Sequence, residues 1–572
     1  MTENHGAHGD AGATDNEDLN TQETAATNES AAASMDAQLE SRAKNAAGHR
    51  RATWWIVAIV AIVAVIAVVA VVAGCIAAFA GRKNDTTGAK ANDTVTIGLK
   101  LAPTNLDIRN TAGSAIDQVL IGNVYEGLVA RDEHNQVVPA IAKTWDVSDD
   151  GTTYTFHLND GMTFSNGDKL DADDVAWSIN ELVTKQYHDA DSLVNFVSVK
   201  ASDPNTVELK LSAPYANLLW VLTGRPGLVF DKDAKYDAKT QAIGSGPYTV
   251  EKFVTNSSIT LKANPNYWGA NKANPNYWGA NKAKTDTVVV RYFTDDNAAV
   301  NALKSGDVQV LAPISENLAE PFTKDSDHYV VKAGDDTDKF VLAFNGTGAK
   351  TSDKRVRQAI RYAINHKEII ASRGGSDTAL GGPIPSLDPG YEDLTGIYPY
   401  DLDKAKSLMS EAGYSESKPL QLSLTYANIY GTEIGDQLRS QLKKIGIDLK
   451  VNVVEFSTWL QDVYTNRNYD ISLVDHNESH DFYQWADPTY YYNYDNKEVQ
   501  ALYAKAVAAT NDDDRDKLLA EAARKVSEDA PADWLFNYRV TTAYAKGVTG
   551  FPINLNPDPV AARTTSPTPS DG

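Results

Sequence analysis

The sequence predicts a mixed α/β body that follows a long apolar segment near the N-terminus. Two observations support this prediction: Trp54–Ala80 contains no charged residue, and from Thr94 onward alternating segments are interleaved with segments of helical spacing. Alternating apolar and polar residues predict half-buried strands, whereas apolar residues three or four positions apart predict helices. Strands interleaved with helices over several hundred residues are typical of an α/β or α+β fold.

Residues 1–50 are acidic and contain no aromatic residue, and Leu19 and Leu39 are their only large aliphatic residues. Such a segment cannot bury enough apolar area to offset the entropy that is lost on ordering. We expect it to be disordered. The polar tail at residues 557–572 is expected to be disordered for the same reason.

Trp54–Ala80 is an uncharged run of 27 residues, longer than the ~18 residues at which an apolar run becomes a candidate membrane span. Within it, Val72-Ala73-Gly74-Cys75 resembles the cleavage box of bacterial lipoproteins, and Cys75 is the only cysteine of the chain. The run is therefore either a transmembrane anchor or a lipoprotein signal that leaves a lipidated Cys75. In both cases, residues 81–93 form a polar linker to the folded body.

The formal net charge of −23 restricts the possible partners. Binding to nucleic acid phosphates needs clustered Lys and Arg, and so does adhesion to anionic lipid headgroups. A single cysteine excludes an intramolecular disulfide and a cysteine-based zinc site. We therefore expect no nucleic acid partner and a stability that depends on burial of a core.

Individual elements can be predicted in chain order. The stretch that begins at Thr94 alternates and predicts a strand, and Ile116–Val129 has the apolar spacing of a helix. Asp171 is placed to cap the N-terminus of a helix that continues through Leu182. Tight turns are predicted where glycine follows Asp or Asn, at Asp150-Gly151, Asp160-Gly161 and Asn166-Gly167.

One decapeptide is duplicated: Ala263–Lys272 (ANPNYWGANK) is repeated without change as Ala273–Lys282. A period of ten residues is too short for one unit of a solenoid. Loops tolerate such insertions because each doubling of loop length costs only about 0.6 kcal/mol in closure entropy. We expect an in-frame duplication in a surface loop, and because the copies are identical, either could pack against the body.

No nucleophile elbow, zinc-protease helix, phosphate-binding loop or dinucleotide fingerprint appears in the sequence. Polar and aromatic residues concentrate instead in Asp475–Tyr494, directly after a predicted strand at Tyr469–Val474. Loops at the ends of strands in α/β proteins are where ligand crevices usually open. We therefore place the candidate site in this segment.

Three kinds of ligand fit the residue types of this segment. Carboxylates among aromatic rings, above all Glu478 and Asp481, could hold the α-ammonium of a peptide. His476 and His480, with either carboxylate, could ligate a metal. Sugar rings could stack on the aromatic residues Tyr483, Trp485 and Tyr490–Tyr492. Buried core aromatics and solvated loop charges would produce the same pattern without any ligand.

A motif from Pro139 to Val175 contains W-x-x-S-x-D-G-T-x-Y-T-F and F-x-N-G-x-x-L-x-A-x-D-V. Further motifs follow at Gly244–Tyr248, Asn264–Gly269, Phe344-Asn345, Val356–Ile360, Tyr400–Tyr414, Gln437–Ile447 and Tyr469-Asp470. In this order they resemble the family 5 extracellular solute-binding proteins, which are peptide-, dipeptide- and nickel-type receptors of ABC importers. The resemblance covers about Thr94 to Phe551, and the duplicated decapeptide is its one departure.

This resemblance implies a two-lobed class II periplasmic-binding-protein-like fold of the cluster C type, with an extra domain inserted in lobe I. Lobe I would consist of residues 94–130, 244–340 and 537–556. The extra domain would span residues 131–243, and lobe II would span residues 341–536.

The resemblance also implies a receptor that captures di- and oligopeptides by closing its lobes and delivers them to an ABC transporter permease. It implies a monomer without cofactor or catalysis, held on the outer face of the cell membrane. Within the family, an oligosaccharide or a nickel or metal-chelate ligand is the alternative. An alternative of another class is a metalloenzyme that uses His476 and His480.

In peptide-binding members of the family, an acidic residue in this strand-end loop, near a Trp, receives the N-terminus of the ligand. The resemblance therefore implies Glu478 or Asp481 for this role, ahead of Asp487. Tyr483 and Trp485 lie beside them in the sequence.

The family also contacts its ligand from the loop after the first strand of the opposite lobe. In this chain that loop includes Thr111, Gly113 and Ser114. The resemblance further implies a contribution from an interlobe crossing near Phe344 and Asn345.

Overall fold

The computed structural model describes residues 94–271 and 283–554. The segments predicted as a leader (1–50), an anchor with Cys75 (54–80), a linker (81–93) and a tail (557–572) lie outside the described residues. The second copy of the decapeptide, at 273–282, lies outside them as well. Within the described ranges, no helix combines the length and the apolar character that crossing a membrane requires.

The described strands are, in chain order, β1 Thr94–Leu99, β2 Val129–Arg131, β3 Val137–Pro139, β4 Ala142–Val147, β5 Thr153–Leu158, β6 Phe196–Asp203, β7 Thr206–Leu211, β8 Tyr248–Val254, β9 Ser258–Ala263, β10 Thr287–Tyr292, β11 Val310–Leu311, β12 Tyr329–Gly334, β13 Lys339–Phe344, β14 Leu420–Ala427, β15 Ile447–Val454, β16 Ile471–His476, β17 Ala532–Asn537 and β18 Val540–Ala545.

The described α-helices are, in chain order, α1 Ser114–Leu120, α2 Ala172–Lys185, α3 Leu218–Val221, α4 Asp296–Ser305, α5 Glu316–Lys324, α6 Lys354–Ala363, α7 His366–Ser372, α8 Leu402–Glu411, α9 Glu433–Lys443, α10 Phe456–Trp459, α11 Tyr483–Ala486, α12 Lys497–Val507 and α13 Asp512–Asp529. A π-helical turn at Leu460–Thr465 continues α10.

Three large sheets organise these elements. A seven-stranded sheet has the order β12-β18-β11-β1-β10-β9-β8 and collects strands from separate parts of the chain. A five-stranded sheet has the order β15-β14-β16-β13-β17, and a four-stranded sheet has the order β4-β5-β7-β6. We refer to the parts built around them as the seven-, five- and four-stranded units, and β2 and β3 pair with each other. The predicted mixed α/β character is confirmed.

Helix α2 begins where the sequence predicts. The carboxylate of Asp171 accepts a hydrogen bond from the amide of Asp173, and the carboxylate of Asp174 accepts one from the amide of Asp171. This reciprocal capping satisfies amide groups that have no partner inside the helix. The helix ends at Lys185, and the predicted N-cap is confirmed.

The helix predicted over Ile116–Val129 is wrong in its second half, because α1 ends at Leu120. The side-chain amide of Asn123 donates to the carbonyl of Val119 at 3.0 Å, and Gly122 has a φ of 72°. A residue with a positive φ just after the helix, together with a polar side chain that satisfies a carbonyl at the helix end, stops a helix. The remaining apolar residues belong to the turn that leads into β2.

The chain passes between the seven- and five-stranded units twice, at residues 335–338 and 538–539. The side-chain amide of Asn537 donates to the carbonyls of Asp336 at 2.9 Å and Asp338 at 2.8 Å. The backbone amide of Tyr538 also donates to the carbonyl of Asp338, at 2.9 Å. These hydrogen bonds hold the two crossings side by side, so a movement of one unit against the other must pass through them.

The first copy of the duplicated decapeptide packs into the fold. The hydroxyl of Tyr267 and the indole nitrogen of Trp268 donate to the carboxylate of Glu126 at 2.7 and 2.9 Å. The hydroxyl of Ser245 donates to the same carboxylate at 2.8 Å. Because Glu126 is fully buried, these donors offset the cost of removing its carboxylate from water. The packed position is thus filled by the copy that begins at Ala263.

Candidate functional site

The segment predicted to hold the site directly follows β16. Strand β16 ends at His476, residues 477–482 form a loop, and α11 begins at Tyr483. Strand β13 lies antiparallel to β16, with Lys339 opposite His476. The first residue of β13, which follows a crossing between units, therefore lies against this loop.

Lys339 is almost completely buried, with 2% of its side chain exposed. Its ammonium nitrogen Nζ lies 3.1 Å from a carboxylate oxygen of Asp481, whose side chain is 3% exposed. Nζ also donates to the backbone carbonyls of Glu478 at 2.8 Å and Thr337 at 3.1 Å. Of the three protons of the ammonium, two are donated to these carbonyls, and the ammonium also forms the ion pair with Asp481.

Several carboxylates lie near this ammonium. Burial alone would lower the pKa of Lys339, but the nearby carboxylates of Asp481, Asp388 and Glu478 outweigh burial and raise it. Burial raises the pKa of Asp481 to about 7, against the opposing effect of Lys339, and burial also raises the pKa of Glu478. Lys339 therefore keeps its proton.

His476 lies beside this ion pair and is neutral. Its Nε2 lies 2.7 Å from the hydroxyl of Tyr492 and 3.1 Å from that of Tyr491. Burial, together with the charge of Lys339, lowers the pKa of His476 to about 3. Its Nδ1 is 4.0 Å from a carboxylate oxygen of Glu478, so a neutral imidazole faces this carboxylate and supplies no charge to it.

Glu478 and Asp481 differ in their accessibility to a ligand. The side chain of Glu478 is 34% exposed, whereas that of Asp481 is enclosed. Burial and the charge of Glu478 together raise the pKa of Tyr464 to about 12, and they also raise the pKa of Tyr483. The side chain of Glu478 is therefore partly exposed, although its oxygen Oε2 is buried, and two phenol rings lie in its surroundings.

Most aromatic residues of the segment build the core. Trp485 is buried and stacks on Tyr492, with 4.2 Å between the ring centroids. Its ring also packs against Trp534 at 5.2 Å, and the buried Tyr490 and Tyr491 pack against Tyr492. These rings pack against each other and do not offer a free face on which a sugar could stack.

Residues from the β2–β3 turn and α3 cover one side of the loop. The ring of Trp220 stacks on that of His480, with 4.3 Å between centroids and 17° between planes. The side-chain amide of Asn135 donates to the hydroxyl of Ser479 at 2.9 Å and to the carboxylate of Asp388 at 3.1 Å. The loop is thus enclosed from two directions, by β13 and by this part of the chain.

Phe344 and Asn345 lie at the other end of β13. Phe344 is fully buried and pairs with Ile471, the first residue of β16. The site loop, residues 477–482, follows the last residue of that strand. The side-chain amide of Asn345 donates to two backbone carbonyls that precede β16, at 3.0 and 2.9 Å. The chain passes between the seven- and five-stranded units before β13, at residues 335–338, and a contribution of Phe344 and Asn345 to ligand binding stays a prediction.

Thr111, Gly113 and Ser114 form the turn into α1. The carbonyls of Thr111 and Gly113 accept hydrogen bonds from the guanidinium of Arg225 at 2.7 and 3.4 Å, and Ser114 starts the helix. Their contact with ligand stays a prediction. Asp487 accepts hydrogen bonds from the amide and hydroxyl of Thr489, both at 2.7 Å, and so forms the turn after α11.

Several residues of this region have no sequence motif that would have singled them out. Asp388 and Trp220 come from loops and a short helix far away in the chain, and only folding brings them to residues 479–480. Lys339 had a weak signal, since it directly precedes an apolar run of the kind that forms a strand buried on both faces. A lysine at the start of such a strand must be paired or reach water.

Three side chains of this region are candidate metal ligands. His476, Glu478 and Asp481 each offer a ligand atom, and these atoms lie within 4.8 Å of one another. Imidazole and carboxylate groups together suit zinc or nickel. As arranged, however, the ammonium of Lys339 already supplies a positive charge to Asp481. His480 does not join this set, because its ring stacks on Trp220.

The family model described as bacterial extracellular solute-binding proteins, family 5 (middle), matches residues 136–501, more than half of the chain. The glutathione-binding protein GsiB of Salmonella paratyphi A is 25% identical over 464 residues, which cover 77% of this chain and 88% of that protein.

Solved structures give a consistent match. The murein tripeptide-binding protein MppA, in its unliganded open form, has a TM-score of 0.70 at 22% identity, covering 83% of this chain and 97% of that one. A nickel ABC transporter protein of Bacillus halodurans has a TM-score of 0.70 at 20% identity, covering 83% and 100%. At these identities the matches show the fold, and the predicted two-lobed binding-protein fold is confirmed.

Proposed function

The chain belongs to the family 5 bacterial extracellular solute-binding proteins, and on this premise we propose that it captures peptides and delivers them to an ABC importer. The supporting observation is that three carboxylates beside β16, those of Asp388, Glu478 and Asp481, lie near the one ammonium of Lys339. The free N-terminus of a peptide is a cation and forms strong, charge-assisted hydrogen bonds with carboxylates. GsiB is named for binding glutathione and MppA for binding a murein tripeptide, which agrees with this ligand class.

We assign the lobes from the sheets. The seven-stranded unit would be lobe I, with residues 94–130, 244–338 and 538–554, and the four-stranded unit would be the extra domain (131–243). The five-stranded unit would be lobe II, with boundaries at Lys339 and Asn537 rather than at 341 and 536, because β13 and β17 reach these residues. The two crossings at 335–338 and 538–539 would then form the hinge.

In this proposal the ligand enters between the lobes, closure of the hinge encloses it, and the closed form docks on the permease. The protein acts as a monomer on the outer face of the cell membrane. Its anchor is the run Trp54–Ala80, either as an uncleaved helix or through a lipidated Cys75. No bond of the ligand is made or broken, so the protein acts as a receptor and not as an enzyme.

A metal chelate is the second ligand class that a specific observation favours, namely the grouping of His476, Glu478 and Asp481. Lys339 argues against a bare metal ion there, since its ammonium would lie beside the ion. An oligosaccharide has less support because the rings of Trp485 and Tyr490–Tyr492 are buried. A metalloenzyme has less support because His476 and His480 have different neighbours.

The test is mass spectrometry of ligands that co-purify with the full-length protein extracted in detergent. We expect short peptides with free N-termini. Recovery of oligosaccharides, or of nickel complexes alone, would contradict the peptide assignment. Metal analysis of the same sample, with a peptidase assay, covers the enzyme alternative: stoichiometric zinc together with hydrolysis would overturn the receptor function.

A further inference from the structure

We propose that Asn135 is an interlobe latch: it joins the four-stranded unit to the five-stranded unit when the lobes close, and so raises the affinity for ligand without contacting the ligand. This inference rests on the proposed peptide-binding function and gives the inserted unit a direct part in closure.

The four-stranded unit is held firmly by the seven-stranded unit. The guanidinium of Arg225 donates to the carbonyl of Ile108 at 2.9 Å and pairs with the carboxylate of Asp117 at 2.9 Å. Both acceptors lie in the chain between β1 and β2, and the Arg225 side chain is only 6% exposed. From the end of β9, Tyr267 and Trp268 pack into the core of the four-stranded unit. A movement at the hinge therefore carries the two units together.

Asn135 lies in the turn between β2 and β3, which belongs to this body because Val137 and Val138 pack against the core of the four-stranded unit. Its own unit orients its side-chain amide. The oxygen Oδ1 accepts hydrogen bonds from the guanidinium of Arg131 at 3.1 Å and from the indole nitrogen of Trp220 at 3.4 Å. Because an amide carries its acceptor and its donors on opposite sides, these contacts direct the N–H groups of Asn135 away from its own unit.

The nitrogen Nδ2 of Asn135 meets the five-stranded unit. It lies 3.1 Å from a carboxylate oxygen of Asp388, 2.9 Å from the hydroxyl of Ser479 and 3.2 Å from the carbonyl of Leu387, all of which accept. These acceptors come from two separate loops, one before α8 and one after β16. Asn135 and Asp388 are both buried, so the contact is shielded from water. One amide thus joins two units that are not neighbours in the chain.

Opening of the lobes must break this contact, since Asn135 moves with the seven-stranded unit and Asp388 moves with the five-stranded unit. A contact that exists only in the closed form increases the fraction of molecules in that form. The apparent affinity for a ligand rises in proportion to the fraction of molecules that are competent to bind it. Asn135 therefore acts on affinity through closure.

The experiment replaces Asn135 in two ways that keep its backbone, whose φ of 61° suits Asp and Gly as well. Asn135→Gly removes the amide, and Asn135→Asp places a carboxylate against that of Asp388. Binding of a pool of random tripeptides is measured by titration calorimetry on the full-length protein in detergent. We expect Asn135→Gly to weaken binding by about tenfold, as loss of a hydrogen bond to a charged group implies, and Asn135→Asp to weaken it at least as much. Asn256, an exposed residue with a φ of 57° in the β8–β9 turn, provides the matched controls Asn256→Gly and Asn256→Asp.

A double variant tests the pairing itself. Asn135→Asp combined with Asp388→Asn exchanges the amide and the carboxylate, so a donor again faces an acceptor. We expect it to bind more tightly than either single variant, which is the sign of a direct coupling between the two positions.

Hydrogen exchange of the ligand-free protein, followed by mass spectrometry, is the second readout. In Asn135→Asp, exchange should become faster in residues 131–137 and in residues 385–391, because both sides of the latch separate. A merely local role of Asn135 would change only residues 131–137.

The outcomes separate the two proposals. If the wild-type protein binds no tripeptide, the peptide-binding function fails, and hydrogen exchange decides the latch: faster exchange on both sides supports it, and a change confined to residues 131–137 overturns it. If the wild-type protein binds tripeptides and Asn135→Gly and Asn135→Asp bind them as tightly, only the inference is overturned. A double variant that binds no better than the single variants also overturns it. If Asn135→Asp does not fold, Asn135→Gly alone decides by the same two readouts.

Discussion

Lys339 and Asp481 form an ion pair within the fold, with the ammonium 3.1 Å from the carboxylate and both side chains almost fully enclosed. The pair connects the first residue of β13 with the loop that follows β16. Because β13 follows one of the two crossings between the large units, the pair lies between the proposed hinge and the candidate site. Its removal should therefore affect both stability and ligand binding.

The single substitution Lys339→Met should lower the free energy of unfolding by about 3–5 kcal/mol, because it leaves the buried carboxylate of Asp481 without a partner. Replacing both partners, as Lys339→Met with Asp481→Leu, should cost clearly less, since no uncompensated charge remains. Thermal and urea unfolding followed by circular dichroism will measure both. Lys324→Met, at an exposed pair with Glu320, is the control and should leave the Tm unchanged. A double variant as unstable as the single one would contradict this account.

Deletion of residues 273–282 should leave the Tm unchanged, because the donors to Glu126 come from the first copy of the decapeptide. In the deleted chain, Tyr267→Phe should cost about 1.5–3 kcal/mol, the usual value for a hydrogen bond to a charged group. The deletion is needed in this comparison because an identical second copy would offer a replacement tyrosine. Tyr400→Phe, at an exposed tyrosine, is the control. A marked loss of stability on deletion alone would show that the second copy is needed.

Local patterns were sufficient to predict those elements that are defined by adjacent residues. Asp171 could be recognised as a cap because the capping box spans only four residues. The end of α1 could not be predicted from apolar spacing, because the pattern continues to Val129 while the Asn123 side chain already stops the helix. Family resemblance supplied the two-lobed fold, which no local pattern contains.

The candidate site was predictable as a segment but not as a set of contacts. Glu478 and Asp481 look equivalent in the sequence, three residues apart in one acidic loop. What distinguishes them is Lys339, which is far away in the chain and reaches Asp481 only because β13 pairs with β16. The position of the crossing before β13 likewise follows from sheet order.

His476 should make the protein less stable as the pH falls. Burial lowers its pKa to about 3 in the folded state, whereas an unfolded histidine titrates near 6.5. The stabilisation is present above the unfolded value and is lost as the pH falls towards the folded value. At 1.36 kcal/mol per pKa unit, His476 should lower the free energy of unfolding by about 2 kcal/mol between pH 6.5 and pH 5.

Urea unfolding of the wild-type protein and of His476→Phe, at pH 7.5 and pH 5, will measure this effect. The charged and titratable groups facing His476 are Lys339, Glu478 and the hydroxyls of Tyr491 and Tyr492. Raised pKa values of Glu478 and Asp481 act in the opposite direction, but both groups remain in the variant, so the difference isolates the histidine. The stability advantage of wild type over variant should shrink by about 2 kcal/mol at pH 5. An unchanged difference would show that His476 titrates normally.

Trp220 should hold the four-stranded unit against the site loop. Its ring stacks on His480 at 4.3 Å, and an aromatic pair of this kind contributes about 0.5–1.5 kcal/mol beyond area burial. Trp220→Ala should therefore shift the ligand-free protein towards a form in which the four-stranded unit is separated from the site loop. The equilibrium constant for this separation should increase by about two- to tenfold. Small-angle scattering should detect this shift as a larger radius of gyration, whereas Trp220→Phe, which keeps an aromatic face, should remain close to wild type. If Trp220→Ala and the wild-type protein have the same radius of gyration, the stack does not hold the four-stranded unit against the site loop.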